Sequence, residues 1–488
     1  MKILMAASEA IPFCKTGGLA DVVGALAQIF GRRGHQVAVM LPKYREVDAA
    51  GLPLEAVPGR FLVPVGDNLE RASLFKTRCG KAEAYFIDDP KYFDRDGLYG
   101  DSAADYADND ERFLFFSRAA LEAAKFIDFR PDVIHCHDWE TALIPAYLKL
   151  LYHTDAFYAR TGTLLTLHNL AYQGLFGKDA LFLAGFGWTH FTPERLEYYG
   201  GFNFLKAGLV YADRLNTVSP GYAKEIQSFA EFGRGLEGVL RRRSADLAGI
   251  LNGIDYEVWD PETDKCLPVR YGRASAAEGK AACKKALRHE CGLAGGRGPL
   301  IAVISRLDPQ KGLDLVQEVL PRIVEAGAQL VVLGANGNGH EFREDFRKAA
   351  ARFPSAVHLH AGFDEPATHR LYAAADLFLM PSRFEPCGLG QMIAMRYGAV
   401  PVVTHTGGLA DTVFEADGGR ENGFVAPQAT AEDVWAALQR AITAYSRGQE
   451  WSRRVGAAMS ADHSWDRSAQ AYEALYQAVV SSPAFGRG

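Results

Sequence analysis

The sequence predicts an α/β protein made of two doubly wound parallel sheets, each with helices on both faces. Three observations carry this expectation. At 488 residues the chain is longer than one compact core normally serves. Short apolar runs alternate with longer amphipathic ones along most of its length. Near residue 300 the alternation starts afresh, after a polar, Arg- and Gly-rich stretch around 233–255 that reads as the seam.

The first half opens on a buried strand, KILMAA (2–7). After a Gly17-Gly18 turn, Leu19, Val22, Val23, Leu26 and Phe30 recur at helical spacing, and Gly31 and Gly34 are expected to end the helix. HQVAVML (35–41), DVIHCH (132–137), TLLTL (163–167) and RLNTVS (214–219) carry the strand signature, with helical patterns between them. In the second half the expected strands are LIAVISRL (300–307), QLVVLG (329–334), AVHLHAGF (356–363), DLFLMPS (376–382) and AVPVVT (399–404). KGLDLVQEVLPRIV (311–324) reads as a helix between the first two of them. Trp465, Ala469, Tyr472, Leu475, Tyr476 and Val479 mark a last helix that either domain could claim. Ligands of open parallel sheets bind beyond the carboxyl ends of the strands, so two such domains facing each other would enclose a cleft.

Composition narrows the classes. Lys plus Arg is 53 against 59 Asp plus Glu, a formal charge of −6, and overall basicity gives no reason to expect a nucleic-acid partner. The 7 cysteines are odd in number and never spaced CxxC, which fits reduced thiols in the cytoplasm better than a disulfide framework or a zinc site. MKILMAASEA is too short an apolar run for a secretion signal, and no run approaches membrane-spanning length.

The motifs sit at the expected strand ends. In CKTGGLAD, Lys15, Gly17 and Gly18 lie between a strand and a helix, where bare amides and a helix N-terminus suit an anion and a lysine adds full charge. A tight turn beside a solvated lysine would look the same. SRLDPQKGLDL (305–315) places Arg306 and Lys311 in the corresponding loop of the second half, where two cations could clamp a diphosphate. RFEPCGLGQM (383–392) sets Glu385 before a small-residue turn; its carboxylate could accept hydrogen bonds from two sugar hydroxyls, or simply cap a helix. Cys387 lacks a basic neighbour in sequence and reads as a structural thiol rather than a nucleophile. His135, His137 and Asp138 invite a metal, but alternate strand residues share one face that can equally be core; Asp138, His168 and Asn169 as polar hands on a sugar are the better assignment. LGANGNGHE (333–341) has the order GxxGxG rather than GxGxxG and lacks the acidic residue that a dinucleotide site needs.

Together these stretches resemble one family, the bacterial glycogen synthases and plant starch synthases, retaining glucosyltransferases of the GT-B fold. The matching residues are KTGGLADV (15–22), HDW (137–139), LHNLAYQG (167–174), TVSPGYA (217–223), LNGID (251–255), SRLDPQKGLDL, FEPCGL (384–389) and TGGLADTV (406–413), collinear over essentially the whole chain. The resemblance implies the GT-B architecture: a Rossmann-like domain at 1–245 on the acceptor side, a Rossmann-like donor domain at 246–462 across a deep cleft, and a helical segment at 463–488 that could pack back on the first. It implies transfer of glucose from ADP-glucose to the non-reducing 4-OH of an α-1,4-glucan such as glycogen, with retention, and with neither metal nor other cofactor. By matching position, Lys15, Gly17 and Gly18 would hold the donor diphosphate, as would Arg306 and Lys311. Glu385 would grip the 3- and 4-hydroxyls of the donor glucose near the amides of Cys387, Gly388 and Leu389. Asp138, His168 and Asn169, with Glu9 and Tyr99, would line the sugar and acceptor side. The start at Met1, without a transit extension, is similar to the bacterial enzymes. Same-face attack and double displacement both remain open.

Two departures bear on donor choice. Family members commonly carry Gly-Asp where this chain reads Ala335-Asn336-Gly337-Asn338-Gly339, and often Tyr at Phe363, a stacking partner for the base. The competing readings are a retaining GT-B transferase using UDP-glucose or a small acceptor, a catalytically silent glucan-binding protein and, more remotely, an NAD-dependent oxidoreductase. Finally, TGGLAD occurs twice, at 16–21 and 406–411. Lys15 before the first copy suits an anion site, whereas the flanks of the second suit a backbone turn near the loop of Glu385.

Overall fold

Fully buried strands in a parallel sheet read as unbroken apolar runs, and the runs above become the central strands of two sheets. A computed structural model describes residues 1–481 apart from 102–103, 336–339, 363 and 417. The chain divides into two units, Met1–Leu251 with the segment from Trp465, and Asn252–Ser464.

In the first unit β1 (Lys2–Ala6), β2 (Gln36–Pro42), β3 (Glu55–Val65), β4 (Asn68–Cys79), β5 (Ala82–Asp88), β6 (Val133–His137) and β7 (Gly162–Leu167) are followed by three short strands, β8 (Leu175–Phe176), β9 (Glu197–Tyr198) and β10 (Gly201–Asn203), and then by β11 (Arg214–Thr217) and β12 (Leu247–Gly249). Among the described residues the main sheet has the order β12-β11-β7-β6-β1-β2-β5-β4-β3, and β8-β10-β9 form a small separate sheet. From β12 to β5 the neighbours run parallel; β5–β4 and β4–β3 are antiparallel. Apolar alternation does not reveal β3, because Pro58 and Gly59 interrupt it, most of its first six residues are exposed, and its register to β4 shifts between Val57 and Phe61.

The helix after β1 runs Gly18–Arg32 and buries Leu19, Val22, Val23, Leu26 and Phe30 on one face. Gly31 therefore lies inside it rather than ending it: a Cβ there would come within 3.0 Å of Lys81 and 3.3 Å of the Ala82 nitrogen, so the glycine serves close approach to the start of β5. Termination falls to Gly34, which has φ +89°.

The second unit contains β13 (Leu300–Arg306), β14 (Gln329–Ala335), β15 (Val357–Ala361), β16 (Leu377–Met380), β17 (Val400–Thr404) and β18 (Phe424–Ala426), all parallel in the order β15-β14-β13-β16-β17-β18. The expected helix after β13 begins at Leu313, because Pro309–Lys311 form a 3₁₀ turn and Gly312 adopts φ +64°.

The last helix, Trp465–Ser481, joins the core of the first unit through Trp465, Ala469, Tyr472, Tyr476 and Val479. Gly162 at the start of β7 makes room for it, since a Cβ there would stand 2.4 Å from Val479 Cγ1. The Tyr476 hydroxyl lies 2.8 Å from His135 Nδ1, and His135 Nε2 is 2.6 Å from Thr166 Oγ1, so β6 and β7 are tied from beneath by this helix. On its outer face Glu473 accepts two hydrogen bonds from Arg33, both 2.8 Å, and lies 3.1 Å from His35 Nε2.

Arg33 and then His35 hold the Glu473 carboxyl down at about 2, against an ordinary 4.5. A depressed carboxylate stabilises the fold above its unfolded value and loses that contribution as pH falls toward 2. Glu473→Gln should therefore lower stability by about 1 kcal/mol at pH 7, the pair being partly solvated. In thermal melts across pH, the two proteins should draw together between pH 4.5 and 2.

Candidate active site

So far as their residues are described, the motifs singled out in the sequence lie at the carboxyl ends of parallel strands. Beyond β1, Glu9 turns back toward the loop that begins the helix Gly18–Arg32. It is 3% exposed. Its carboxylate accepts a short bond from the Thr16 amide, bonds of 3.1 Å from the Thr16 hydroxyl, 3.2 Å from the Gly17 amide and 3.4 Å from Tyr99. Tyr99 also pairs with Ser8 at 2.8 Å. Burial raises the proton affinity of Glu9 against these bonds. Lys15 forms a 2.7 Å ion pair with Asp21 and is half exposed. A Cβ on Gly18 would meet nothing within 4 Å.

β6 and β7 deliver Asp138 and His168. Asp138 adopts φ +54°, which lets its amide bond Thr166 O at 2.9 Å while its carboxylate receives the His168 amide at 2.7 Å. This locks the two strand ends together. Trp139 packs against Gly174, where a Cβ would lie 2.4 Å from the indole ring, so HDW and LHNLAYQG are structural partners as well as neighbours. His168 Nε2 is 3.0 Å from His137 Nδ1, and loss of hydration pushes the His168 imidazole down to about 3. It is a neutral hydrogen-bonding group at working pH, not an imidazolium acid. Asn169 Oδ1 accepts from the Ala171 amide at 3.0 Å. His135 is saturated by Tyr476 and Thr166, and His137 is fully buried beside it with its rings 4.0 Å away. These two histidines belong to the core. Among the described residues the one group with metal-ligand spacing is Asp264, Cys266 and His369, none of them a candidate site residue.

In the second unit Glu385 follows β16 and is 6% exposed. Lys311 Nζ stands 2.6 Å from its Oε2, and the Ser382 hydroxyl donates to the same oxygen at 3.1 Å. Both bonds fall on Oε2, leaving Oε1 as the acceptor for a hydroxyl. Three close approaches hold this arrangement. Gly312 brings the Lys311 turn against Pro381, whose carbonyl would lie 2.1 Å from a Cβ. Gly407 and Gly408 bring the second TGGLAD copy against the Glu385 and Cys387 carbonyls, at 2.0 and 2.2 Å from a Cβ, and the Gly408 amide donates to Glu385 O at 3.1 Å. Gln391 Nε2 reaches Cys387 O at 3.1 Å and Gly388 O at 2.9 Å, fixing the turn that Gly388 makes with φ +73°. Arg306 is exposed at the end of β13 and forms no ion pair among the described residues.

The structure thus gathers Glu9, Tyr99, Asp138, His168 and Asn169 with Lys15, Gly17 and Gly18 at one sheet's end, and Arg306, Lys311, Glu385, Cys387, Gly388 and Leu389 at the other's. Two expectations change in detail. Glu9 faces the loop amides rather than open space for a sugar, because a buried carboxylate needs donors and Thr16 and Gly17 supply them. The Gly17 amide is accordingly engaged by Glu9. Cys387 is buried and its thiol is pushed up to about 12, which fits a structural role. Phe363 and residues 336–339, on which the base contact and the glycine-rich stretch rest, lie outside the described residues. Sequence reasoning missed Thr16, Ser382 and Glu140. Glu140 follows HDW directly and is 5% exposed, yet its Oε2 has no hydrogen-bond partner among the described residues.

Comparison with known proteins places these features in a lineage. Residues 2–242 match the family model described as the starch synthase catalytic domain, and residues 290–455 that of glycosyl transferases group 1. The chain is 48% identical to a glycogen synthase of Elusimicrobium minutum, over 99% of this chain and 100% of that one. It is 46% identical to a glycogen synthase of Geotalea daltonii, over 99% of each. Among solved structures, the catalytic domain of starch synthase IV from Arabidopsis thaliana, bound to ADP and acarbose, superposes with a TM-score of 0.89 at 36% identity over 99% of both chains. A sucrose-phosphate synthase from Thermosynechococcus elongatus shares the fold alone, with a TM-score of 0.62 at 18% identity, over 99% of this chain and 100% of that one.

The two TGGLAD copies should respond differently to a methyl group. Gly408→Ala forces backbone against backbone and should destabilise the protein by about 1–3 kcal/mol. Gly18→Ala meets no neighbour and should leave the melting temperature within about a degree, on the usual scale of surface changes. Differential scanning calorimetry of both variants checks the contrast.

Proposed function

The chain belongs to the starch and glycogen synthase family, and on that premise we propose that it extends an α-1,4-glucan such as glycogen by transferring glucose from ADP-glucose to the non-reducing 4-OH with retention of configuration. It is a glycosyltransferase of GT-B construction, two Rossmann-like units that work on a nucleotide-sugar donor and a glucan acceptor. The observation that carries the residue-level reading is Glu385: a buried carboxylate, oriented by Lys311 and Ser382 at a strand's carboxyl end, whose hydrogen bonds among the described residues both fall on Oε2 and leave Oε1 to a sugar hydroxyl.

The chemistry follows from charge. Breaking the glycosyl–phosphate bond leaves negative charge on the diphosphate and positive charge on the ring. Arg306, exposed and without an ion pair among the described residues, and Lys15 and Lys311, already near carboxylates, supply fixed cations for the first. The open Gly18 amide at a helix N-terminus and the amides of the Cys387–Leu389 turn add dipoles. We assign the neutralisation of the diphosphate to these groups and to no metal. Asp138, Asn169 and neutral His168 offer hydrogen bonds to the sugar and acceptor, and Tyr99 flanks them. The route, same-face or double displacement, is left open, and no nucleophile is assigned.

ADP as the nucleotide draws support from the Arabidopsis starch synthase domain, a close structural match that holds ADP and acarbose. Glycogen as the acceptor draws on relatives that span the whole chain and bear the name glycogen synthase. The alternatives of a small acceptor and of silent binding find no such support. Among the described residues no helix is long and apolar enough to cross a membrane. We place the enzyme in the cytoplasm, a reading supported by its 7 free cysteines.

Purified protein given ADP-glucose and glycogen should release ADP and lengthen the glucan, with UDP-glucose turned over more slowly. Lys15→Ala and Arg306→Ala should each lower kcat/KM by about 10²–10³, the usual loss for one charge-stabilising contact. Unchanged kinetics in both variants would remove the diphosphate assignment.

A further inference from the structure

The first unit holds three carboxylates with almost no cation among them. Glu9, Asp138 and Glu140 are 3%, 8% and 5% exposed; the Glu9 charge bears on Asp138, and both bear on Glu140. Glu9 and Asp138 are answered by amides and hydroxyls; Glu140 Oε2 is buried with no partner among the described residues. The groups around Glu9 are Tyr99 and Tyr44, both buried phenols with raised proton affinity, and the Cys14 thiol, which burial likewise keeps neutral. The nearest cation in the loop, Lys15, is turned to Asp21 at 2.7 Å. His137 and His168, near Asp138, are kept neutral by burial. The buried Arg112 guanidinium, which acts on Tyr44 in the opposite sense, is engaged by the Tyr92 and Leu98 carbonyls and by Asn109. The neutral groups closest to Glu9 therefore disfavour a further negative charge there.

The loop carries the other half of the argument. The helix Gly18–Arg32 has no side-chain cap of its own, and the Gly17 N-cap position is served by Glu9 from eight residues upstream. Glu9 thereby consumes the Thr16 and Gly17 amides. The Gly18 amide lies in the first turn, where no preceding carbonyl of the helix accepts it, and Gly18 itself is exposed.

Resting on the donor assignment above, we propose that Glu9 is a positioning residue of the donor site, which fixes the loop so that the Gly18 amide and Lys15 receive the diphosphate, and that donor binding places one proton from solvent on the Glu9–Asp138–Glu140 cluster. The diphosphate brings about two negative charges toward a buried group of like sign. The cluster answers by binding a proton, which lands on a carboxylate oxygen and breaks no covalent bond. Donor affinity is then greatest at low pH and falls as pH rises, by at most tenfold per pH unit where a full proton is taken up.

The test is calorimetric titration of the whole protein with ADP-glucose, without glucan, in buffers of different ionisation enthalpy. ADP-glucose is the right probe because its diphosphate is esterified at both ends and has no ionisation near neutrality, unlike a terminal phosphate. The wild type should take up a net fraction of a proton, rising toward one, between pH 6 and about 8. Glu9→Gln should still bind but take up less, with a flatter dependence of affinity on pH; Glu140→Gln, which leaves the loop bonds intact, should do the same. Binding by the wild type without proton uptake overturns the proposal, as does undiminished uptake in both variants. No binding by the wild type at any pH overturns the donor assignment itself, and this proposal with it.

Discussion

Burying Glu385 constrains everything around it. A carboxylate taken from water must find a cation or several donors, and an ion pair in such a place holds only when its geometry is fixed by neighbours. Lys311 can reach Glu385 at 2.6 Å because Gly312 turns the chain in the left-handed region against Pro381. The Glu385 backbone in turn sits against Gly407 and Gly408, where any side chain would strike a carbonyl. Three segments far apart in sequence thus meet within van der Waals contact to hold one charge. The turn of Cys387–Leu389, with its amides, inherits its position from that contact.

The first unit solves a related problem differently. There the carboxylate, Glu9, is satisfied by the backbone of the loop it organises, and the same hexapeptide that acts as a spacer near Glu385 acts as a ligand to Glu9. Identical residues do different work because glycine is required for different reasons. Near Glu385 it is required for contact; at Gly18 it leaves a bare amide with open space beside it.

The sequence made the parallel strands and most of their helices legible, because fully buried strands and amphipathic helices leave local signals. It also located the residues that carry charge at strand ends, from Lys15 to Glu385. What it could not show depends on distant packing: the antiparallel edge of β3 and β4, the Glu9 bonds to Thr16 and Gly17, the pairing of Lys311 with Glu385, and the isolation of Glu140. The histidines illustrate the limit from the other side. His135 and His137 look like ligands in sequence; Tyr476, arriving from the last helix of the chain, engages His135, and His137 lies fully buried against that ring.

The measurement that bears most directly on the account is a double-mutant cycle in kcat/KM for ADP-glucose, using Lys311→Ala, Glu385→Gln and the double variant. If the buried pair acts as one unit, each single change removes most of its contribution, and the double variant is no worse than the poorer single one. Losses that simply add would mean that Lys311 and Glu385 act independently, and would contradict the account.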